Sequence, residues 1–165
     1  MDDISTSMLL VILVVLIALS AYFSGSETGM MSINRYRLRH LVQNNHHGAR
    51  RVQFLLERPD RLIGLILIGN NLVNIAASSI ATILCIRWFG DAGIVIATLA
   101  LTLIILIFAE VTPKTIAALH PERIAFPSSL ILRPLLIGMY PFVTSVNFIT
   151  NTFMRILGVD PKRAQ

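Results

Sequence analysis

Charge and sulfur are what this 165-residue chain has least of. Only 14% of its residues are Asp, Glu, Lys or Arg, while 55% are hydrophobic and the mean hydropathy is +0.71. An ordinary soluble domain carries about 25% charged and about 45–50% apolar residues. So little charge over so much apolar surface excludes a water-soluble globule and points to lipid, which alone removes the need for a polar outer shell. Cys85, the single cysteine, excludes an internal disulfide and a thiolate metal cluster. It lies in an apolar stretch and reads as a small packing residue. A basic n-region is also missing: Asp2 and Asp3 stand in its place, and no small-x-small cleavage pattern follows the first apolar run, which excludes a secretory signal peptide. The net charge of +5 is unevenly placed, with Arg35, Arg37, Arg39, Arg50, Arg51, Arg58 and Arg61 making up half of the 14 Lys and Arg. With only Tyr36 and Phe54 available for stacking there, this is a positive-inside signal and not a nucleic-acid patch.

Three apolar runs are present. Residues 7–23, with the core LLVILVVLIAL, give about 17 residues, the lower limit for a span. Residues 62–88 form a second run interrupted by Asn70, Asn71 and Asn74, and 92–110 form a third that ends on Glu110. Only the turn around Gly90, Asp91 and Gly93 separates the last two, so they read as a transmembrane helical hairpin. The expected fold is an all-α integral membrane domain over 1–158: three transmembrane helices, juxtamembrane helices on the cytoplasmic side over 33–58, and a Pro-broken fourth apolar segment over 124–153. In that segment Pro127, Pro134 and Pro141 cut the chain into pieces too short for one straight span, and Arg133 stands near the middle; a fourth full span is the alternative. The Arg-rich 33–58 region carries two apolar patches at helical spacing, separated by the turn Asn44-Asn45-His46-His47-Gly48. The His pair there reads as part of a solvated turn, with metal binding as the alternative. With the Arg-rich segment inside, the amino terminus lies outside and the carboxyl terminus is cytoplasmic. Residues 159–165 read as the start of a linker.

Polar groups at membrane depth are costly and are functional candidates. Three clusters qualify: Ser24-Gly25-Ser26-Glu27, Gly69-Asn70-Asn71 with Asn74, and Glu110-Val111-Thr112-Pro113-Lys114. At 1.5 Å per residue, Asn70 lies about 12 Å in from the inner end of span two, and Glu110 about 27 Å along span three. Ser24 is at a similar level, so the clusters can converge in one inner-half layer. Hydroxyls, amide carbonyls and carboxylates are hard oxygen donors suited to Mg²⁺, Ca²⁺ or Na⁺, and the lack of histidine and thiol disfavours zinc and copper. Gly25 and Gly69 would permit local unwinding that frees backbone carbonyls, and Pro113 would kink span three beside Glu110. Bland readings compete: Asn74, Ser78 and Ser79 as interhelical glue, Glu27 as a first-turn acid, Glu110 as a partner of Lys114. An intramembrane serine hydrolase built on Ser24 or Ser26 with Lys114 lacks a G-x-S-x-G pattern and an intramembrane His, so the chain does not read as an enzyme.

The blocks Phe23-Ser24-Gly25-Ser26-Glu27-Thr28-Gly29, Gly69-Asn70-Asn71 and Glu110-Val111-Thr112-Pro113-Lys114 resemble, in order and spacing, the transmembrane domain of the CNNM/CorC (cyclin M) magnesium transport family. The resemblance covers about Met8 to Gly158. It implies a homodimer in the bilayer of the cell membrane and a Mg²⁺ held by serine, asparagine and glutamate oxygens. Ser24 and the backbone at Gly25 would supply ligands, as would Asn70 or Asn71, and Glu110 the charged one; Ser26 and Glu27 match the motif as ligands or supports. The resemblance also implies Mg²⁺ export, with Na⁺ as the candidate counter-ion, and a cytoplasmic CBS-type region in the full-length protein. A Mg²⁺-sensing scaffold that acts on partners is the alternative.

Overall fold

The computed structural model describes residues 5–159, and every regular element among them is helical. Helix α1 (Thr6–Ser32) begins where the Ser5 side chain accepts a hydrogen bond from Met8 N at 3.2 Å. Its 27 residues correspond to about 40 Å, enough to cross a hydrocarbon core of about 30 Å. The helix therefore does not stop at Phe23 but carries Ser24–Glu27 within its length. It ends at Ile33, which is extended. Asn34 then caps α2 (Arg35–Gln43) by accepting from the N–H groups of Tyr36 and Arg37.

The turn after α2 holds Asn45 at φ 63°, a left-handed conformation that Asn tolerates better than most residues. Helix α3 (His47–Leu56) is capped by His46, whose Nδ1 accepts from Ala49 N at 3.0 Å. The ring of His46 also tilts against Phe126 with centroids 4.9 Å apart. Its role is structural, while Gly48 sits inside the helix and not in the turn.

Two stretches are long and apolar enough to cross a membrane, Thr6–Ser32 and the 61-residue Pro59–Leu119. As one rod the second would be about 90 Å long, three bilayers' worth. It is instead a hairpin. Helix α4 (Pro59–Phe89) meets a single 3-10 turn at Gly90–Ala92, where Gly90 has φ +68°. Helix α5 (Gly93–Ile104) then folds back so closely that a Cβ on Gly93 would stand 2.5 Å from the backbone of Cys85. Ala81, Ala97 and Leu101 form the seam between the arms, with Cys85 packed against them. The second arm continues through a π-helical segment (Ile105–Val111) into α6 (Thr112–Leu119).

Only 22% of the positions in the most apolar window of either stretch are buried. Val11, Val14, Leu72, Ile75, Leu99 and Phe108 all point outward, an arrangement that lipid stabilises and water does not. The chain is an all-α membrane domain.

The described residues divide into two compact units. One comprises residues up to Ile33 together with Ile66–Ala125. It holds the seam above and a second cluster of Leu9, Ile80 and Leu84 with Ile12, Leu13 and Leu16 against it. The other comprises Asn34–Leu65 and the residues from Phe126 on. There Arg51 donates through Nε to Ser129 Oγ at 3.0 Å and through a terminal nitrogen to the Phe126 carbonyl at 3.3 Å. The guanidinium of Arg61 lies 4.3 Å from the Tyr140 ring centroid, and that of Arg133 lies 5.0 Å from Phe54.

Helices α7 (Pro121–Gly138) and α8 (Tyr140–Ile156) meet at a bend of 75° around Met139. The fourth apolar segment is thus broken, but at one place and not at three. Pro127 and Pro134 are accommodated inside α7. A proline keeps helical φ, and the loss of one backbone bond does not end a helix whose neighbours satisfy the freed groups. The linker expected over 159–165 lies, beyond Val159, outside the described residues.

Candidate cation site

The site is built inside the first unit, from α1, α4 and the π-helical segment. Ser24 is buried at 1% exposure, and its hydroxyl faces Glu110 Oε2 at 3.4 Å. The same carboxylate oxygen lies 3.2 Å from Lys114 Nζ. Glu110 therefore carries both a hydroxyl from another helix and an ammonium one turn along its own.

Glu110 occupies the π-helical segment for a local reason. Pro113 has no N–H, and its ring disfavours a carbonyl four residues back, at Ala109. Widening the preceding turn absorbs that mismatch; Thr112 N–H reaches back five residues to Ile107 O. Such π-bulges recur at functional sites because they re-aim one side chain without ending the helix. Here the re-aimed side chain is a carboxylate.

One turn further along α1, Ser20 Oγ lies 3.0 Å from Asn70 Oδ1 and 2.6 Å from Asn74 Oδ1. A hydroxyl carries one proton, so with these amide orientations it can donate to only one of the two. The two amide oxygens and the hydroxyl oxygen are hard, neutral donors of the kind a Mg²⁺, Ca²⁺ or Na⁺ accepts. Ser20, Ser24 and Glu27 follow at i, i+4 and i+7, one face of a helix.

Not every expected residue joins this centre. Ser26 is fully buried, but its hydroxyl donates to the Tyr22 carbonyl at 2.6 Å on its own helix. Asn71 is exposed, about 100° around α4 from Asn70. Neither Gly25 nor Gly69 unwinds its helix: α1 and α4 run unbroken through them. At Gly69 the requirement is close approach, since a Cβ would stand 2.6 Å from the Phe23 ring. Gly25 faces the Pro113 turn, where a Cβ would come to 3.5 Å, ordinary contact. The backbone carbonyls at both glycines stay within helical geometry.

A groove of about 390 Å³ opens between the hairpin arms and reaches the carboxylate; Asn74, Ser78, Thr98, Thr102 and Glu110 supply its polar lining. Thr98 and Thr102 donate to the Ile94 and Thr98 carbonyls on their own helix, which leaves their oxygens as acceptors toward the groove. Among the described residues no group of three or more His, Cys, Asp or Glu is placed to hold a metal. The donor set is hard oxygen with one carboxylate, which suits Mg²⁺, Ca²⁺ or Na⁺ and not a thiophilic ion.

Sequence reasoning missed Ser20, while its reading of Asn74 as interhelical glue agrees with the bond to Ser20 on α1. The helical spacing from Ser24 back to Ser20 was the available signal.

Comparison with known proteins shows the family. The model of the cyclin M transmembrane N-terminal domain (CNNM) matches residues 11–165. The UPF0053 inner membrane protein YfjD of Escherichia coli is 60% identical over 86% of this chain and 33% of its own length. A UPF0053 protein of Haemophilus influenzae is 52% identical over 96% of this chain and 38% of its own. A chloroplastic DUF21 domain-containing protein of Arabidopsis thaliana is 33% identical over 90% of this chain and 22% of its own. The chain spans about a third of the length of the first two of these relatives.

Proposed function

Because the chain belongs to the cyclin M transmembrane-domain family, we propose that it is the ion-translocating part of a longer Mg²⁺ transporter, with the cation held between α1, α4 and the π-helical segment. The observation that carries this reading is the approach of Ser24 Oγ to Glu110 Oε2 inside an apolar helical unit. In lipid a carboxylate is expensive and is retained where it does work.

Ser24 and Glu110 are the proposed first ligands, with Asn70 supplying an amide oxygen and Ser20 and Asn74 bordering it. Mg²⁺ asks for about six oxygens in octahedral array at about 2.0–2.1 Å. One carboxylate and several neutral oxygens would bind it while keeping the site charge low enough for release. Lys114 pairs with Glu110 at 3.2 Å; a Mg²⁺ bound by the carboxylate would displace that ammonium. The groove that reaches Glu110, apolar for the most part with polar groups along it, supports access from outside the helical unit.

The proposal extends to the whole protein: export from the cytoplasm in exchange for Na⁺, a homodimer, an external amino terminus, and a cytoplasmic CBS-type region in the remaining length. The Arg-rich α2–α3 segment supports the orientation through the positive-inside rule.

Mg²⁺ flux in proteoliposomes tests the reading, with wild type beside Glu110→Gln and with or without a Na⁺ gradient. Flux that disappears in Glu110→Gln supports transport through this site, and a response to Na⁺ supports exchange. Binding without flux in wild type overturns the transporter reading in favour of a Mg²⁺ sensor.

A further inference from the structure

The second unit holds a pocket with a different chemistry. It measures about 230 Å³ and is lined by Arg35, Leu38 and Arg39 of α2 with Gln53, Leu56 and Glu57 on the α3 side. Arg35 and Arg39 are one turn apart and project to the same side of their helix. Leu38 and Leu56 form an apolar floor at 3% and 5% exposure. Glu57 brings a negative charge to the same rim. Opposite charges thus face one pocket, yet among the described residues neither the Arg35 nor the Glu57 side chain has a hydrogen-bond or ion-pair partner.

Chain connectivity sets the depth of this pocket. Glu57 lies two residues before Pro59, where α4 begins, and Arg35 three residues after Ser32, where α1 ends. Both helices belong to apolar stretches long enough to span a membrane. Leu62, the first residue of the apolar run of α4, follows Glu57 by only five residues and lies about 5 Å along the helix from Pro59. The pocket is therefore tethered to the headgroup layer, neither in the hydrocarbon nor far out in water.

We propose that this pocket binds a phospholipid headgroup consisting of a phosphodiester and a primary ammonium, as in phosphatidylethanolamine. The two guanidinium forks match the phosphate oxygens. The ammonium donates to the Glu57 carboxylate, and the glycerol end of the acyl chains rests on Leu38 and Leu56. Each alternative leaves part of the pocket without its partner. Phosphatidylglycerol brings no cation for Glu57. A choline headgroup has no N–H to donate to it. Inorganic phosphate carries more negative charge than the pocket's two Arg and one Glu favour, and it makes no use of the apolar floor.

Lipid retention by the purified chain in detergent, read by native mass spectrometry, tests this. Phosphatidylethanolamine, phosphatidylglycerol and phosphatidylcholine are offered at equal concentration, with inorganic phosphate as a separate competitor. Wild type should retain phosphatidylethanolamine about tenfold or more over the other two, the scale of one charge-assisted hydrogen bond. Arg35→Ala with Arg39→Ala should lower its retention about tenfold or more. Glu57→Gln should erase the preference over phosphatidylcholine while phosphatidylglycerol retention holds or rises. That single substitution at an exposed site keeps the test open if the double variant fails to fold, which the helical circular dichroism signal reports. Equal retention of all three lipids by wild type overturns the proposal. So do an unchanged preference in Glu57→Gln and displacement of the lipid by millimolar phosphate.

Discussion

Ser24 Oγ and Glu110 Oε2 lie 3.4 Å apart although 86 positions separate them in sequence. The contact joins α1 to the π-helical segment, and Lys114 completes it from one turn along at 3.2 Å. An ion entering the proposed site would compete with that ammonium for the carboxylate. Lys114→Met should therefore raise Mg²⁺ affinity. The pair is partly exposed, with side chains 48% and 28% accessible, and i,i+4 pairs of this kind contribute about 0.2–0.5 kcal/mol. The expected gain is about twofold by isothermal titration calorimetry. A lower affinity in the variant would mean that Lys114 orients Glu110 instead of competing for it.

Adjacent asparagines should behave differently. Asn70 and Asn74 meet Ser20, whereas Asn71 points away from that cluster and is exposed. Interhelical hydrogen bonds in membranes contribute about 0.6 kcal/mol on average and up to about 1.7 kcal/mol. Asn74→Ala and Ser20→Ala should each destabilise the fold by a free energy of that order, read as a lower thermal midpoint in detergent. Asn71→Ala should leave it unchanged. Equal losses at all three positions would show that the Ser20 cluster is not the contact that matters.

Two glycines make a graded pair. A Cβ at Gly93 would stand 2.5 Å from the Cys85 backbone, while one at Gly69 would stand 2.6 Å from the far end of the Phe23 ring. A ring can shift and a helix backbone cannot, and overpacking costs about 1–3 kcal/mol. Gly93→Ala should fall at the upper end of that range and prise the hairpin arms apart. Gly69→Ala should fall at the lower end and be rescued by Phe23→Leu. Thermal unfolding of the four proteins checks this; rescue of neither, or a larger loss at Gly69, would contradict the packing described.

Much of this architecture was legible because membrane helices announce themselves by composition. The hairpin turn at Gly90–Gly93 and the paired amphipathic helices around Asn44–His46 both carry local signals. Other features depend on tertiary surroundings. Pro127 and Pro134 read as breaks, yet α7 passes through both, since a proline's tolerance is set by what satisfies the freed carbonyls. Ser20 lies inside an apolar run where a lone serine usually bonds its own helix, so only the approach of Asn70 and Asn74 makes it conspicuous. The π-helical turn at Ile105–Val111 has no composition of its own, and Pro113 hinted at a kink where the structure widens a turn. Gly69 suggested unwinding and proved to be a site of close packing. Mg²⁺ selectivity is a matter of ligand number and cavity size, which no single motif encodes.

The most direct measurement is equilibrium Mg²⁺ binding to the purified chain by isothermal titration calorimetry, wild type against Glu110→Gln, with a circular dichroism melt confirming that both are folded. Gln keeps the shape and removes the charge. The expected result is saturable binding by wild type and an affinity at least about tenfold weaker in the variant, a difference of about 1.4 kcal/mol or more. Equal affinity in the two folded proteins would contradict the assignment of Glu110 as the charged ligand, and with it the cation site between α1, α4 and the π-helical segment.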